Sequence, residues 1–157
     1  CSLLEKFLPE RQNYSQIFNA TNAFIDLLTF QDESKNDYWM KGYVKWEIGV
    51  LSSIGFSLDL NRCAVTGSDT NLLFVSPKTG KAVSKEGAGR HAPRLLLLPS
   101  FLGGDNVIGS NFYKEILAGL NITSYFFKNK LLLSINTNKQ INLPNPRIRF
   151  VELIEKL

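Results

Sequence analysis

The sequence predicts a mainly α-helical domain carrying one inserted β-hairpin. Three observations predict it. Apolar residues return every three or four positions over most of the chain, the spacing of one helix face. Between about 56 and 94, Gly, Pro, Ser and Thr become frequent and that rhythm stops. Inside this interval two short apolar runs flank the tetrapeptide PKTG, a tight-turn signal.

Each element has its own justification. Leu3, Leu4, Phe7 and Leu8 keep helical spacing up to Pro9, so residues 1–8 read as the end of a helix. A second helix is predicted from Tyr14 to Phe30, with Ile17, Phe18, Phe24, Ile25 and Leu28 on its apolar faces. QDESKN is a polar connection. A third helix runs from Asp37 to Ile54, where Tyr43, Trp46, Val50 and Ile54 line one face and Gly55 occupies a C-cap position.

Residues 56–71 read as irregular and 72–84 as the hairpin. A loop with Gly87, Gly89 and Pro93 leads to RLLLLPSFLGG, a short apolar segment docked on the core. A long helix is predicted from Ser110 to Leu132 through Phe112, Ile116, Leu120, Phe127 and Leu131. NTNKQINLPN is an exposed connection. The last helix is expected to be capped by Asn145, with Pro146 in its first turn and Ile148, Val151, Ile154 and Leu157 following. The whole reads as one domain, 1–157, with an insertion at about 56–94.

Composition narrows the function. The chain has 157 residues, 44% apolar and 20% charged, which suits a folded domain with its own core. No run of 18 apolar residues offers a membrane span. Two cysteines make no disulfide framework, and a reduced cytoplasmic setting is expected. The chain opens inside helix without Met or a signal-type leader, which predicts a segment of a longer protein. Net charge +4 and a pI near 9.1 permit a polyanionic or acidic partner.

The residues supply no reaction. His91 is the only histidine and lies in a loop without a nucleophile beside it. Cys63 has no neighbour in the sequence that marks it as reactive. KTGKA lacks the first glycine and the Ser or Thr of a phosphate loop, since Val75 and Ala82 stand there. Asp32 and Glu33 sit in a polar linker. No catalytic residue and no cofactor is expected. The better lead is cationic and apolar: Lys41 and Lys45 are four apart on the helix that carries Trp39, Tyr43 and Trp46. Such a face can take an acidic peptide with an apolar end, the lysine pairing with carboxylates. Packing of the three aromatics into the core is the competing reading.

The segments YVKWEIGVLSSIGFSLDLNRCAVTG, LLFVSPKTGKAVS, RLLLLPSFL and RIRFVELIEKL, in that order, resemble the DNA repair protein RecO family, in its helical C-terminal portion. The resemblance runs through the chain and leaves the family's N-terminal OB-fold unmatched. Many family members hold the hairpin region with zinc on two CxxC pairs. The matching positions here are Cys63, Thr66, Ser84 and Gly87, so no metal is expected and packing through Leu73, Phe74 and Val83 must hold the hairpin.

The resemblance implies recombinational DNA repair without bond-breaking catalysis. It implies binding of DNA, annealing of complementary strands, and loading of the recombinase RecA together with RecR, in the cytoplasm at the nucleoid. It further implies displacement of single-stranded DNA-binding protein, whose acidic tail ends in an apolar aromatic residue and is received by the helical portion. The family pattern matches Lys45, before Trp46, and Arg149 to tail contacts, with Lys41, Arg147 and Lys128 as further candidates. Which residues touch DNA is left open. A helical protein–protein adaptor unrelated to DNA is the alternative.

Overall fold

A computed structural model describes residues 2–8, 14–29, 38–105, 111–129 and 142–157, and the chain divides into two compact units, Cys1–Ser57 and Leu58–Leu157. The polar connection at 31–36, Leu131, Leu132 and most of NTNKQINLPN lie outside the described residues.

The first unit is helical. Helix α1 spans Ser2–Phe7 and buries Leu3. Helices α2 (Ser15–Thr29) and α3 (Tyr38–Ser53) pack against each other. A polar relay sets their rotation: Thr21 Oγ1 donates to the Ile17 carbonyl at 2.7 Å and accepts from Trp46 Nε1 at 3.0 Å. A buried indole N–H needs such a partner, so the bond fixes which way Trp46 turns. Phe24, Tyr43 and Trp46 form a ring cluster with centroids 5.8 to 6.1 Å apart.

Helix α3 ends as its glycine foretells. Gly55 has φ +93°, its N–H reaches the Ser52 carbonyl at 3.0 Å, and Phe56 N–H reaches Leu51 at 2.8 Å. Those two bonds satisfy the last-turn carbonyls of a Schellman end. The buried line differs from the expected one. Met40, Val44, Glu47 and Leu51 are buried together with Trp46 and Val50, while Tyr43 and Ile54 are half-buried. A glutamate inside the buried line hid it from a reading based on apolar spacing.

The second unit is built around helix α5 (Phe112–Asn129) and a three-stranded antiparallel sheet. Asn111 Oδ1 accepts from Lys114 N–H at 3.0 Å and so caps α5. Strands β1 (Leu72–Val75) and β2 (Ala82–Ser84) form the hairpin, with Phe74 opposite Val83 and Val75 opposite Ala82. The turn closes through Gly80, at φ +71°, whose N–H reaches the Ser76 carbonyl at 2.8 Å. Leu72, Val75, Ala82 and Val83 are buried, whereas Leu73 and Phe74 are only half-buried. On β1 the buried positions are thus its two ends, Leu72 and Val75, and not the expected Leu73 and Phe74, whereas Val83 on β2 is buried as expected.

The loop expected after the hairpin is instead ordered as helix α4 (Lys85–Ala88), followed by a 3₁₀ helix over Gly89–Arg94. The apolar segment beyond it contributes strand β3 (Leu96–Leu97), which pairs with β1 and gives the order β2-β1-β3. A second 3₁₀ turn, Ser100–Leu102, is tied to α5: Glu115 Oε2 accepts from Ser100 N–H and Oγ, each at 2.7 Å. Gly104 is required beside it, because a Cβ there would fall on the Leu98 carbonyl.

Helix α6 spans Asn145–Ile154. Its N-cap is Pro144, whose carbonyl accepts from Arg147 and Ile148, so Asn145 is the first helical residue and not the expected side-chain cap. Arg147 is buried at 4% exposure. Its guanidinium donates to Ser124 Oγ at 2.9 Å, Thr123 Oγ1 at 3.0 Å and the Leu120 carbonyl at 3.4 Å, and it lies 5.8 Å from the Phe127 ring centre. That clamp fixes α6 on α5. Arg147→Leu is expected to lower the unfolding free energy by about 2 kcal/mol, since it strands buried acceptors. Urea denaturation compared with Arg149→Leu, which changes an exposed residue, checks it.

Candidate functional site

An apolar groove opens between α2 and α3. It encloses about 300 Å³, walled by Ala20, Ala23, Phe24, Leu27, Gly42 and Trp46, with Lys45 as the one charge in its lining. Small residues hollow it. At Gly42 a Cβ would displace the end of the Leu27 side chain across the groove. Trp46 is buried at 5% exposure, as the core reading has it, and its ring also forms a wall of the groove.

Lys45 is exposed and has no acidic partner among the described residues. Lys41 lies one turn back on α3, half-buried, with Nζ 5.4 Å from the Tyr38 ring centre. The structure thus brings Lys45, Trp46 and Lys41 onto one helix pair. Arg149 and Lys128 are exposed on α6 and α5 of the second unit. Arg147, expected as a surface contact, is instead the buried clamp between those helices. Ala20, Ala23 and Gly42 were not singled out from sequence, and Phe24 only as part of an apolar helix face. The pair of small residues three apart on α2 was the available signal.

The ribbon has a second constellation. Cys63, Thr66, Ser84 and Gly87 converge at one end of the hairpin. Cys63 Sγ accepts from the N–H groups of Ser84 at 3.2 Å, Val65 at 3.4 Å and Thr66 at 3.4 Å. Ser84 Oγ caps α4 by accepting from Gly87 N–H at 3.1 Å and lies 3.4 Å from Thr66 Oγ1. A Cβ on Gly87 would stand 2.9 Å from Cys63 Sγ and 3.3 Å from Ser84 Oγ. Four positions remote in sequence therefore share one small volume.

The sequence model described as "Recombination protein O C terminal" matches residues 1–139. The chain belongs to the RecO family. Relatives named "DNA repair protein RecO" include those of Ruegeria sp. TM1040, 36% identical, and Cereibacter sphaeroides ATCC 17029, 40% identical, each over 99% of this chain and 60% of the relative. The protein of that name from the Wolbachia of Culex pipiens is 39% identical over 86% of this chain and 55% of its own length. The chain thus spans about three-fifths of the relatives it matches. No solved structure matches it significantly.

Within RecO, the cluster at Cys63 tests whether these residues fit a structural zinc. They do not. Such a site takes four N or S donors in a tetrahedron, and the converging groups are one thiol, two hydroxyls and a residue with no side chain. No group of three or more His, Cys, Asp or Glu able to hold a metal occurs among the described residues. What remains is a sulfur-centred knot of hydrogen bonds. Burial raises the Cys63 thiol pKa, but hydrogen bonds from the hydroxyl and N–H of Ser84, and then from Thr66, outweigh it and lower the value from 9.0 to about 6.

A thiol more acidic in the folded than in the unfolded chain stabilises the fold fully above the unfolded pKa, and that contribution fades as pH falls through the folded one. Stability is therefore expected to climb between pH 6 and 9. In a Cys1→Ser background, thiolate absorbance at 240 nm should titrate near pH 6 and shift toward 9 in urea. Excess EDTA should leave the melting temperature of the ribbon unchanged. Melting that drops with EDTA and returns with Zn²⁺ contradicts the metal-free knot.

Proposed function

We propose that this RecO-family chain acts in recombinational DNA repair by binding and not by bond chemistry. It binds DNA, promotes annealing of complementary strands, and receives the acidic tail of single-stranded DNA-binding protein in the α2–α3 groove. Displacement of that protein, together with RecR, then lets RecA load. The setting is the cytoplasm, at the nucleoid. No helix among the described residues is long and apolar enough to cross a membrane.

One observation carries the reading: an apolar groove with a single exposed lysine in its lining. A peptide that ends in an apolar aromatic residue needs a hydrophobic slot for the ring and a cation for the carboxylates beside it. The groove supplies both within one helix pair. Phe24 and Trp46, 6.1 Å apart and near-parallel, give the slot rigid aromatic walls, and rigid walls lose little side-chain entropy on binding. Lys41 adds a second cation one turn away. Arg149 enters the same proposal on the resemblance alone.

Lys45→Glu is expected to weaken binding of a fluorescein-labelled acidic peptide ending in Phe by about tenfold, equivalent to about 1.4 kcal/mol, while circular dichroism stays unchanged. Ala23→Phe, which fills the groove without altering charge, should weaken the same peptide comparably. Unchanged affinity in both removes the groove from the function. Peptide binding by a chain that shows no affinity for DNA would favour the adaptor reading.

A further inference from the structure

Charge is divided unevenly between the two units. Residues 1–57 carry five basic and seven acidic side chains, whereas residues 58–157 carry thirteen and seven. The formal balance is therefore −2 for the first unit and +6 for the second, which accounts for the chain's +4. A long polyanion is drawn to the second unit.

Within that unit, one edge of the ribbon collects exposed cations. Lys85 opens α4, and Arg90, His91 and Arg94 lie in the following 3₁₀ helix, in which no side chain is buried. The Cys63 knot adds a fourth permanent cation to this edge. Arg62 precedes Cys63 and Lys85 follows Ser84, so the bond from Ser84 N–H to Cys63 Sγ brings their backbones together. Gly87 closes on the same sulfur and sets the start of the 3₁₀ helix two residues later. In a 3₁₀ helix residues three apart eclipse, so His91 and Arg94 project from one side.

These cations are left available. Asp59 is engaged with Lys81 at 3.8 Å, and Glu86 accepts from Asn71 Nδ2 at 3.5 Å. Among the described residues, Arg62, Lys85, Arg90 and Arg94 make no ion pair or side-chain hydrogen bond. Exposed guanidinium groups match phosphate oxygens, which they can hold in pairs, and Glu86 is the one acidic side chain within α4 and the 3₁₀ helix.

We propose that Arg62, Lys85, Arg90 and Arg94 form the surface on which this chain meets the phosphate backbone of nucleic acid. This rests on the DNA-binding role proposed above and assigns it to the ribbon, whereas the peptide groove belongs to the first unit. Contacts of this kind position a strand without reading its sequence, so binding is sequence-tolerant and salt-dependent.

The test measures fluorescence anisotropy of a labelled oligothymidylate with the whole chain between 50 and 200 mM NaCl. Arg90→Glu with Arg94→Glu should reduce affinity more than tenfold at the lower salt and flatten the log–log salt slope by about 1.4, two phosphate contacts of about 0.7 each for single strands. Its melting temperature should match wild type, since both side chains are exposed. Lys114→Glu with Lys156→Glu makes the same charge change at exposed positions elsewhere in the unit and should retain most of the affinity. Equal loss in the two pairs assigns the effect to net charge and overturns the proposal. Undiminished binding in the Arg90/Arg94 pair overturns the surface while leaving DNA binding intact. Loss of acidic-peptide binding in that pair reassigns the edge to protein. A wild-type chain without DNA affinity overturns the surface and the DNA role together.

Discussion

The hydrogen bonds that converge on Cys63 Sγ are the constraint on which the ribbon depends. A three-residue strand and a four-residue strand with one bulge have too little ladder to hold a register alone. The sulfur supplies what the ladder lacks, by accepting N–H groups from the loop at 65–66 and from the end of β2. Partial negative charge on sulfur strengthens each of those bonds. A structural metal with four ligands would organise the same four positions from the centre. Here the centre is one of the four, and the space a ligand at 87 would fill is left to a glycine. Restoring bulk there is blocked by the knot itself, because a Cβ would already press on the sulfur.

Buried polar groups serve the same end elsewhere. Arg147 reaches three acceptors on α5, Glu115 holds the Ser100 turn with one oxygen, and Thr21 receives the Trp46 indole. Apolar contact is non-directional and would allow each helix pair to slide. A buried charge or N–H left unpaired costs more than its partner bond contributes, so these contacts reject wrong registers more than they add stability. The rotation that Thr21 imposes on Trp46 is what turns the indole into a groove wall. The clamp at Arg147 has a comparable effect on α6, and it leaves Arg149, two residues on, facing solvent.

Much of this was legible in the sequence. The order of the helices other than α4, the hairpin at PKTG and the C-cap at Gly55 follow from local rules and were found within a few residues. The misses have a common cause. Strand β3 is two residues long and exists because β1 has an open edge beside it, which no local pattern announces. Asn145 has the chemistry of a cap, yet Pro144 fixes the preceding backbone and the helix starts one residue early. Arg147 was read as a partner contact because charge usually faces solvent, and only tertiary partners could reverse that. For the groove, Lys45 and Trp46 were visible as neighbours, but the hollow between them comes from Ala20, Ala23 and Gly42, residues that signal nothing singly.

The separation of charge explains how one chain could take two anionic ligands without confusing them. At physiological ionic strength a field fades over about 8 Å, so the −2 of the first unit does not repel a peptide already seated beside Lys45. In the proposed binding mode recognition there is local and depends on an aromatic end filling a slot, which a phosphate backbone cannot do. A nucleic acid has no such end, and gains in proportion to the number of cations it meets. It is therefore favoured on the unit of +6 and gains little from a groove with one lysine. Salt should weaken the two ligands unequally, the polyanion steeply and the peptide mildly, because only the second has apolar burial to retain it.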